Sequence, residues 1–150
     1  MKNLFEAATA KEIRERIAKL GPSCERQWGK MTAPQAMAHC SVAMEWAVGD
    51  NRPPRMFVGR IFGPLAKSQV LKDEKPMARN TPTAKSLVIA DQRELGKECQ
   101  RLSALIERFN ASGPQGCTKH PHTFFGQLTP QEWAQLMYKH VDHHLRQFGV

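Results

Sequence analysis

Histidine is where this sequence concentrates its chemistry. Six occur, His39, His120, His122, His140, His143 and His144, and neutral imidazole is a common metal ligand. His140 and His144 stand at i and i+4, which on a helix puts them on one face about 6 Å apart along the axis. That H-x-x-x-H spacing is how a helix chelates a metal ion. Winding the segment at about 100° per residue places Trp133, Met137, His140, His144 and Phe148 on one face, with Leu136 and Val141 on its shoulders. Lys139, Asp142 and Arg146 fall opposite, so the pair points into a core. His143 lies at the edge of the stripe and is the lesser candidate.

The segment Ala33–Val48 supplies a third ligand. Wound the same way, it sets His39 on a face with Gln35, Val42 and Trp46. His39 lies about 10 Å from the start of its helix, and the midpoint of His140 and His144 lies about 9 Å from the end of theirs. Antiparallel packing of the two helices therefore brings three imidazoles level, whereas parallel packing misses by about 10 Å. Three histidines plus an open position is the coordination of a catalytic metal, while structural zinc sites are closed by four protein ligands. The expected cofactor is one divalent metal ion on His39, His140 and His144. Imidazole suits several metals, with zinc or nickel the first candidates. A hydrogen-bonded core histidine is the bland alternative at each position taken singly. Gln35 and Trp46 are expected to border the ion. His120 and His122, in TKHPHTFFG, read as surface-loop histidines, and Glu45 and Cys40 lie on other faces of their helix.

These residues need helices to position them. Thr32 with Gln35, and Thr129 with Glu132, have the spacing of capping boxes, each followed by proline in the first turn. They start helices expected over Ala33–Val48 and from Pro130 to about Phe148. Thr9 and Glu12 suggest a first helix over about Ala10–Leu20, stopped by Gly21-Pro22. Asp91 and Glu94 suggest another from about Gln92 to Phe109, where Leu95, Cys99, Leu102, Ile106 and Phe109 form a bundle seam. The connection from Gly49 to Ala90 is too long for a turn, and Arg55–Leu65 within it has the pattern of a short extra helix. Such a crossover lets the flanking helices run parallel. Ser86–Ala90 is the one strand-like run, and one strand cannot make a sheet. The expected fold is all-α, a four-helix bundle in up-down-down-up order with a long crossover between the second and third helices, in one domain over residues 1–150.

Composition sets the class. Apolar residues make up 41% of the chain and charged residues 24%, which is ordinary for a globular domain. No run is long and apolar enough to span a bilayer. MKNLFEAATAKE lacks the apolar core of a signal peptide, so a cytoplasmic location is expected. None of Cys24, Cys40, Cys99 and Cys117 forms a C-x-x-C pair, so free thiols are expected. The formal charge is +8. Between Arg52 and Lys85, the basic residues Arg52, Arg55, Arg60, Lys67, Lys72, Lys75, Arg79 and Lys85 stand against only Asp73 and Glu74. That is either a solvated connection or a field that draws nucleic acid, anionic lipid or an anionic small molecule. No helix-turn-helix or stacking platform points to nucleic acid.

Two stretches carry a family likeness. Trp28-Gly-Lys-Met-Thr-Ala-Pro-Gln-Ala-Met-Ala-His39 resembles the second-helix segment of the DinB-like superfamily. Tyr138-Lys-His-Val-Asp-His-His-Leu-Arg-Gln-Phe-Gly149 resembles the ending of a bacterial branch of unknown function, and His120–Thr129 resembles that branch's loop before the last helix. The resemblance implies a four-helix bundle, commonly dimeric, with three metal-binding histidines that fall on His39, His140 and His144. The superfamily includes bacillithiol- and mycothiol-dependent S-transferases and a thiol-dependent isomerase.

Two functions are therefore expected to compete. One is a metal-dependent enzyme, foremost a thiol S-transferase using a low-molecular-weight thiol as co-substrate, or a hydrolase on the same site. The other is a non-catalytic module that uses the metal for stability or partner binding. The fourth metal position separates them, since closure by His120 or another side chain favours the second.

Overall fold

The computed structural model describes residues 1–150. The chain is all-α. Five α-helices follow one another: α1 Ala7–Ala18, α2 Ala33–Val48, α3 Phe57–Val70, α4 Leu95–Ser112 and α5 Pro130–Gln147, with single 3-10 turns at Lys85–Leu87 and Gly113–Gly116. No strand forms; one isolated antiparallel bridge joins His122 to Gly126. No helix is long and apolar enough to cross a membrane.

Local signals place α2 and α5 where expected. Thr32 Oγ1 accepts from Gln35 N at 3.4 Å while Gln35 Oε1 accepts from Thr32 N at 3.0 Å. Thr129 and Glu132 repeat the exchange at 3.1 and 2.8 Å. Each box satisfies two of the N–H groups that a helix start leaves orphaned. The starts of α1 and α4 differ from expectation. Glu6 takes the N-cap position of α1 without a side-chain bond to the helix backbone, and Thr9 donates its hydroxyl to Glu6 at 2.8 Å rather than capping. Asn3 holds the other Glu6 oxygen at 2.6 Å. Glu94 alone caps α4, accepting from Gly96 N and Lys97 N, because Asp91 is taken by Arg93 at 2.9 Å. The helix in the crossover runs to Val70, longer than Arg55–Leu65, and Ser86–Ala90 makes only a 3-10 turn for want of a partner strand.

Cross-helix pairs give the directions of packing. Gln35 bonds the Asp91 carbonyl, Glu45 pairs with Arg101, and Asp50 takes Arg108 bidentately at 2.7 Å. Both members advance together, so α2 and α4 run the same way. Leu4 N bonds Ala134 O and Arg16 pairs with Asp142 at 2.7 Å, which sets α1 alongside α5 in a common sense. The exposed pairs mark register more than they stabilise. Stability comes from the apolar side chains between the helices: Ile13 and Ile17, Met37 and Met44, Leu102, Ile106 and Phe109, and Met137, Val141 and Leu145 are all essentially inaccessible. Each such side chain contributes about 1.5–3 kcal/mol on burial. Leu95 and Cys99, the first members of the α4 seam, are only partly buried.

The face of α5 opposite the histidines is covered at Lys139 and Asp142, contrary to its composition, and only Arg146 there stays exposed. Lys139 and Asp142 are each 5% exposed. Lys139 Nζ donates to Val70 O at 2.6 Å and Asp73 O at 2.8 Å, tying the crossover to α5, while α1 brings Arg16 to Asp142. A helix wheel shows which side chains share a face but not how many neighbours arrive to cover it.

α3 rests on the Phe124–Phe125 backbone through two glycines. A Cβ on Gly63 would stand 2.1 Å from Phe124 O, and one on Gly59 2.6 Å from it. A carbonyl oxygen has no rotamer to escape into, so Gly63→Ala must lift the helix or the loop. The expected cost is about 1–3 kcal/mol, as for other overpacked sites, read as a lower urea midpoint with unchanged metal content. A variant as stable as the parent would show that this contact is not tight.

Candidate metal centre

Three imidazoles converge between α2 and α5. The ring centroids of His39 and His140 are 4.8 Å apart, those of His39 and His144 4.8 Å, and those of His140 and His144 5.0 Å. One nitrogen from each lies within 4.8 Å of the others, a set that could hold a metal ion. The convergence follows from opposite helix senses. His39 meets His140 and His144, and Trp46, seven residues on, packs against His122, which also touches Trp133, seven residues before His140. The contacts run backwards along α5 as they advance along α2.

Hydrogen bonds fix two of the three tautomers. His39 Nδ1 donates to Leu87 O at 2.8 Å, and His144 Nδ1 donates to Gln147 Oε1 at 2.8 Å. Gln147 is itself held by donating to Trp28 O at 2.7 Å. Each ring then offers Nε2 as a lone pair, the arrangement by which outer partners orient metal-ligating histidines. His39 Nε2 and His140 Nε2 stand 2.8 Å apart. With one protonated they share a hydrogen bond; with both as lone pairs they face a common cation.

The environment keeps the rings neutral. Burial pushes the His144 imidazolium down to about 3, reinforced by His39. Burial first, and then the neighbouring His39 and His144, hold His140 well below its ordinary value. Burial likewise lowers His39. Three uncharged imidazoles at neutral pH are chemically suited to a divalent cation, which needs deprotonated donors. His39 and His144 are buried, but His140 keeps part of its surface exposed although its ring lies deep.

The remaining histidines divide. His143 lies 5.1 Å from His144 between ring centroids yet turns away, packing on Trp28 and lining a pocket of about 470 Å³ with Met77, Arg79 and Arg146. His120 Nε2 donates to Pro53 O at 3.0 Å and does not join the cluster. His122 is no surface histidine: burial, with the Arg55 charge, takes it down to about 4, and its ring packs between Trp46 and Trp133. Gln35 is committed to its cap and to Asp91 O, and Trp46 stands two turns along α2 from His39. Gln147 and the Leu87 carbonyl are the site's unforeseen members. Gln147 lies three residues past His144, within helical reach, and that spacing was the available signal. Nothing in the sequence marked Leu87.

No curated protein and no solved structure matches the chain. A family model described as "Protein of unknown function (DUF1569)" matches residues 3–149, and the chain therefore belongs to that family.

Proposed function

We propose that His39, His140 and His144 hold one divalent metal ion, zinc or nickel, in a metal-dependent enzyme of the thiol S-transferase type. The observation that carries this reading is the convergence of three neutral imidazoles, two of them locked with Nε2 free. We read the chain as one DinB-like four-helix-bundle domain, up-down-down-up, with α3 inside the crossover. The common sense of α2 and α4, and of α1 and α5, supports that topology.

A metal ion bound there would supply a Lewis-acidic position able to hold a sulfur as thiolate. The chain's own part is to exclude water and fix the donor set. Leu87 O and Gln147 orient His39 and His144, and the side chains around the cluster keep the donors unprotonated. The chain does not supply the attacking sulfur at this site. Cys40, Cys99 and Cys117 are pushed up by burial, and none joins the cluster. A small thiol from solution is then the nucleophile, and the basic crossover favours an anionic one.

The second reading, a metal-stabilised interaction module, is favoured by α3. Phe57, Val58, Ile61, Phe62 and Leu65 are each more than half exposed on its outer side. Together they leave an apolar helix face uncovered, the kind of surface that a protein partner covers. A homodimer would have its surface there.

One experiment separates the readings. Zinc or nickel at about 1,000 times its Kd should stabilise the fold by about 4 kcal/mol, or about 8–16 °C in Tm for a chain of this size. The loaded protein should transfer at least one of a panel of low-molecular-weight thiols to an electrophile, and a chelator should stop it. Stabilisation without turnover would favour the module. A metal-free chain unfolded by circular dichroism would make the ion structural.

A further inference from the structure

Buried donors without acceptors gather under the loop before α5. Trp46 is 3% exposed, Trp133 1% and Thr123 2%. The indole Nε1 of each tryptophan and the Thr123 hydroxyl have no hydrogen-bond partner, and all three residues line one narrow gap with His122. An indole N–H can only donate. His122 Nδ1 accepts from Phe124 N at 3.1 Å and Phe125 N at 3.2 Å, which puts the ring proton on Nε2 and makes that atom a donor too. Behind the loop sits Arg55. Its guanidinium lies against Gly126, whose backbone exchanges two hydrogen bonds with His122, and its Nε also lacks a partner. Buried polar groups are normally paired, so each exception asks for a reason. Three of the six such atoms belong to residues lining this gap and a fourth, Arg55 Nε, lies behind its loop, while Arg14 Nε and Trp28 Nε1 are elsewhere; all but Thr123 Oγ1 are obligate donors.

We propose that this gap is a binding site for a carboxylate group, the oxyanion accepting from Trp46 Nε1, Trp133 Nε1, His122 Nε2 and Thr123 Oγ1 with Arg55 as its counter-charge. A charged acceptor makes the strongest bonds to such donors, and no acceptor side chain competes for them. As it stands the gap is too narrow to admit a water molecule. Entry therefore requires the loop to lift, against its anchors from Met56 N to Thr123 O and from His120 Nε2 to Pro53 O. Trp46 lies seven residues from His39 and Trp133 seven from His140, about 10 Å along each helix. On the metal-centre reading, and resting on it, the carboxylate would be the acidic end of a substrate whose reacting atom reaches the three histidines. The anion site itself needs no metal.

The probe is sodium formate, titrated into ¹⁵N-labelled protein beside a sodium chloride control, in the metal-free and the zinc-loaded chain. The indole N–H signals of Trp46 and Trp133 should shift along one saturable curve, and that of Trp28 should stay still. Thr123→Val, which keeps the side chain's shape, and Arg55→Gln should each weaken the midpoint by about tenfold, or about 1.4 kcal/mol. Three indoles moving in step, no saturable shift, or a response that chloride reproduces would overturn the site. So would an unchanged midpoint in Thr123→Val, which serves if Arg55→Gln fails to fold. Zinc binding is followed separately, so loss of the metal reading leaves the formate result in metal-free protein intact.

Discussion

His39→Ala, His140→Ala and His144→Ala should each empty the site, whereas His143→Ala should retain about one ion per chain on the three-ligand stoichiometry of an open site. The contrast is severe because all four histidines lie close together. The His143 and His144 rings are only 5.1 Å apart. Direction distinguishes them: His144 points at His39 and His140, and His143 faces Trp28 and Arg79. Removing one of three imidazoles leaves a two-nitrogen site with an added cavity. Gln147→Leu should sit between the extremes, since losing an outer partner typically costs about 10–100-fold in metal affinity. It frees His144 Nδ1 and also releases Trp28 O. The measurement is metal analysis after gel filtration, followed by competition with a chelator of known affinity. Equal loss in His143→Ala would mean that His143 is itself a ligand on α5. Full retention in His144→Ala would remove that residue from the site.

How far the sequence reveals this arrangement differs by residue. α5 is nearly complete in it, because its capping box and its apolar stripe are both local. His39 needed one further step, the matching of depths on two antiparallel helices, and the 2.8 Å approach of His39 to His140 agrees with that matching. What sequence could not display depends on chain segments distant in number. The Leu87 carbonyl reaches His39 across 48 residues, from a turn that has no signature of its own. His122 looks like a loop residue because its neighbours are His120, Pro121 and Thr123. Its burial comes from Trp46 and Trp133, each on a different helix. Lys139 misleads for the opposite reason. A lysine on the outer side of a wheel suggests water, yet the crossover returns over it and supplies two carbonyl acceptors. Thr9 had the spacing of a cap, but the helix starts at Ala7, and the Thr9 hydroxyl goes to Glu6, whose other oxygen Asn3 holds.

Acid should unfold the metal-free protein earlier than the loaded one. An unfolded histidine titrates near about 6.5. In the folded chain burial holds His144 down to about 3 and His122 down to about 4, and lowers His39 and His140 as well. Between those limits the unfolded state binds more protons than the folded one. Stability therefore rises with pH across that window and is lost as pH falls below about 6.5. Each fully shifted group contributes up to about 1.4 kcal/mol per pH unit. Several acting together can exhaust a typical stability of about 5–15 kcal/mol before pH 4 is reached, about one unit above the value burial gives His144. A bound divalent ion competes with protons for the same nitrogens, so the zinc-loaded chain should hold to lower pH and release metal and unfold together. His144→Leu offers the internal control. It replaces a strongly depressed imidazole with an apolar side chain, so the slope of stability against pH should fall by about one proton. Urea unfolding of metal-free parent and variant from pH 7.5 to 4.5 makes the measurement. A flat parent profile across that range would mean that the imidazoles are solvated and free to charge in the folded protein. The three-histidine cluster would then lose the neutrality on which metal binding depends.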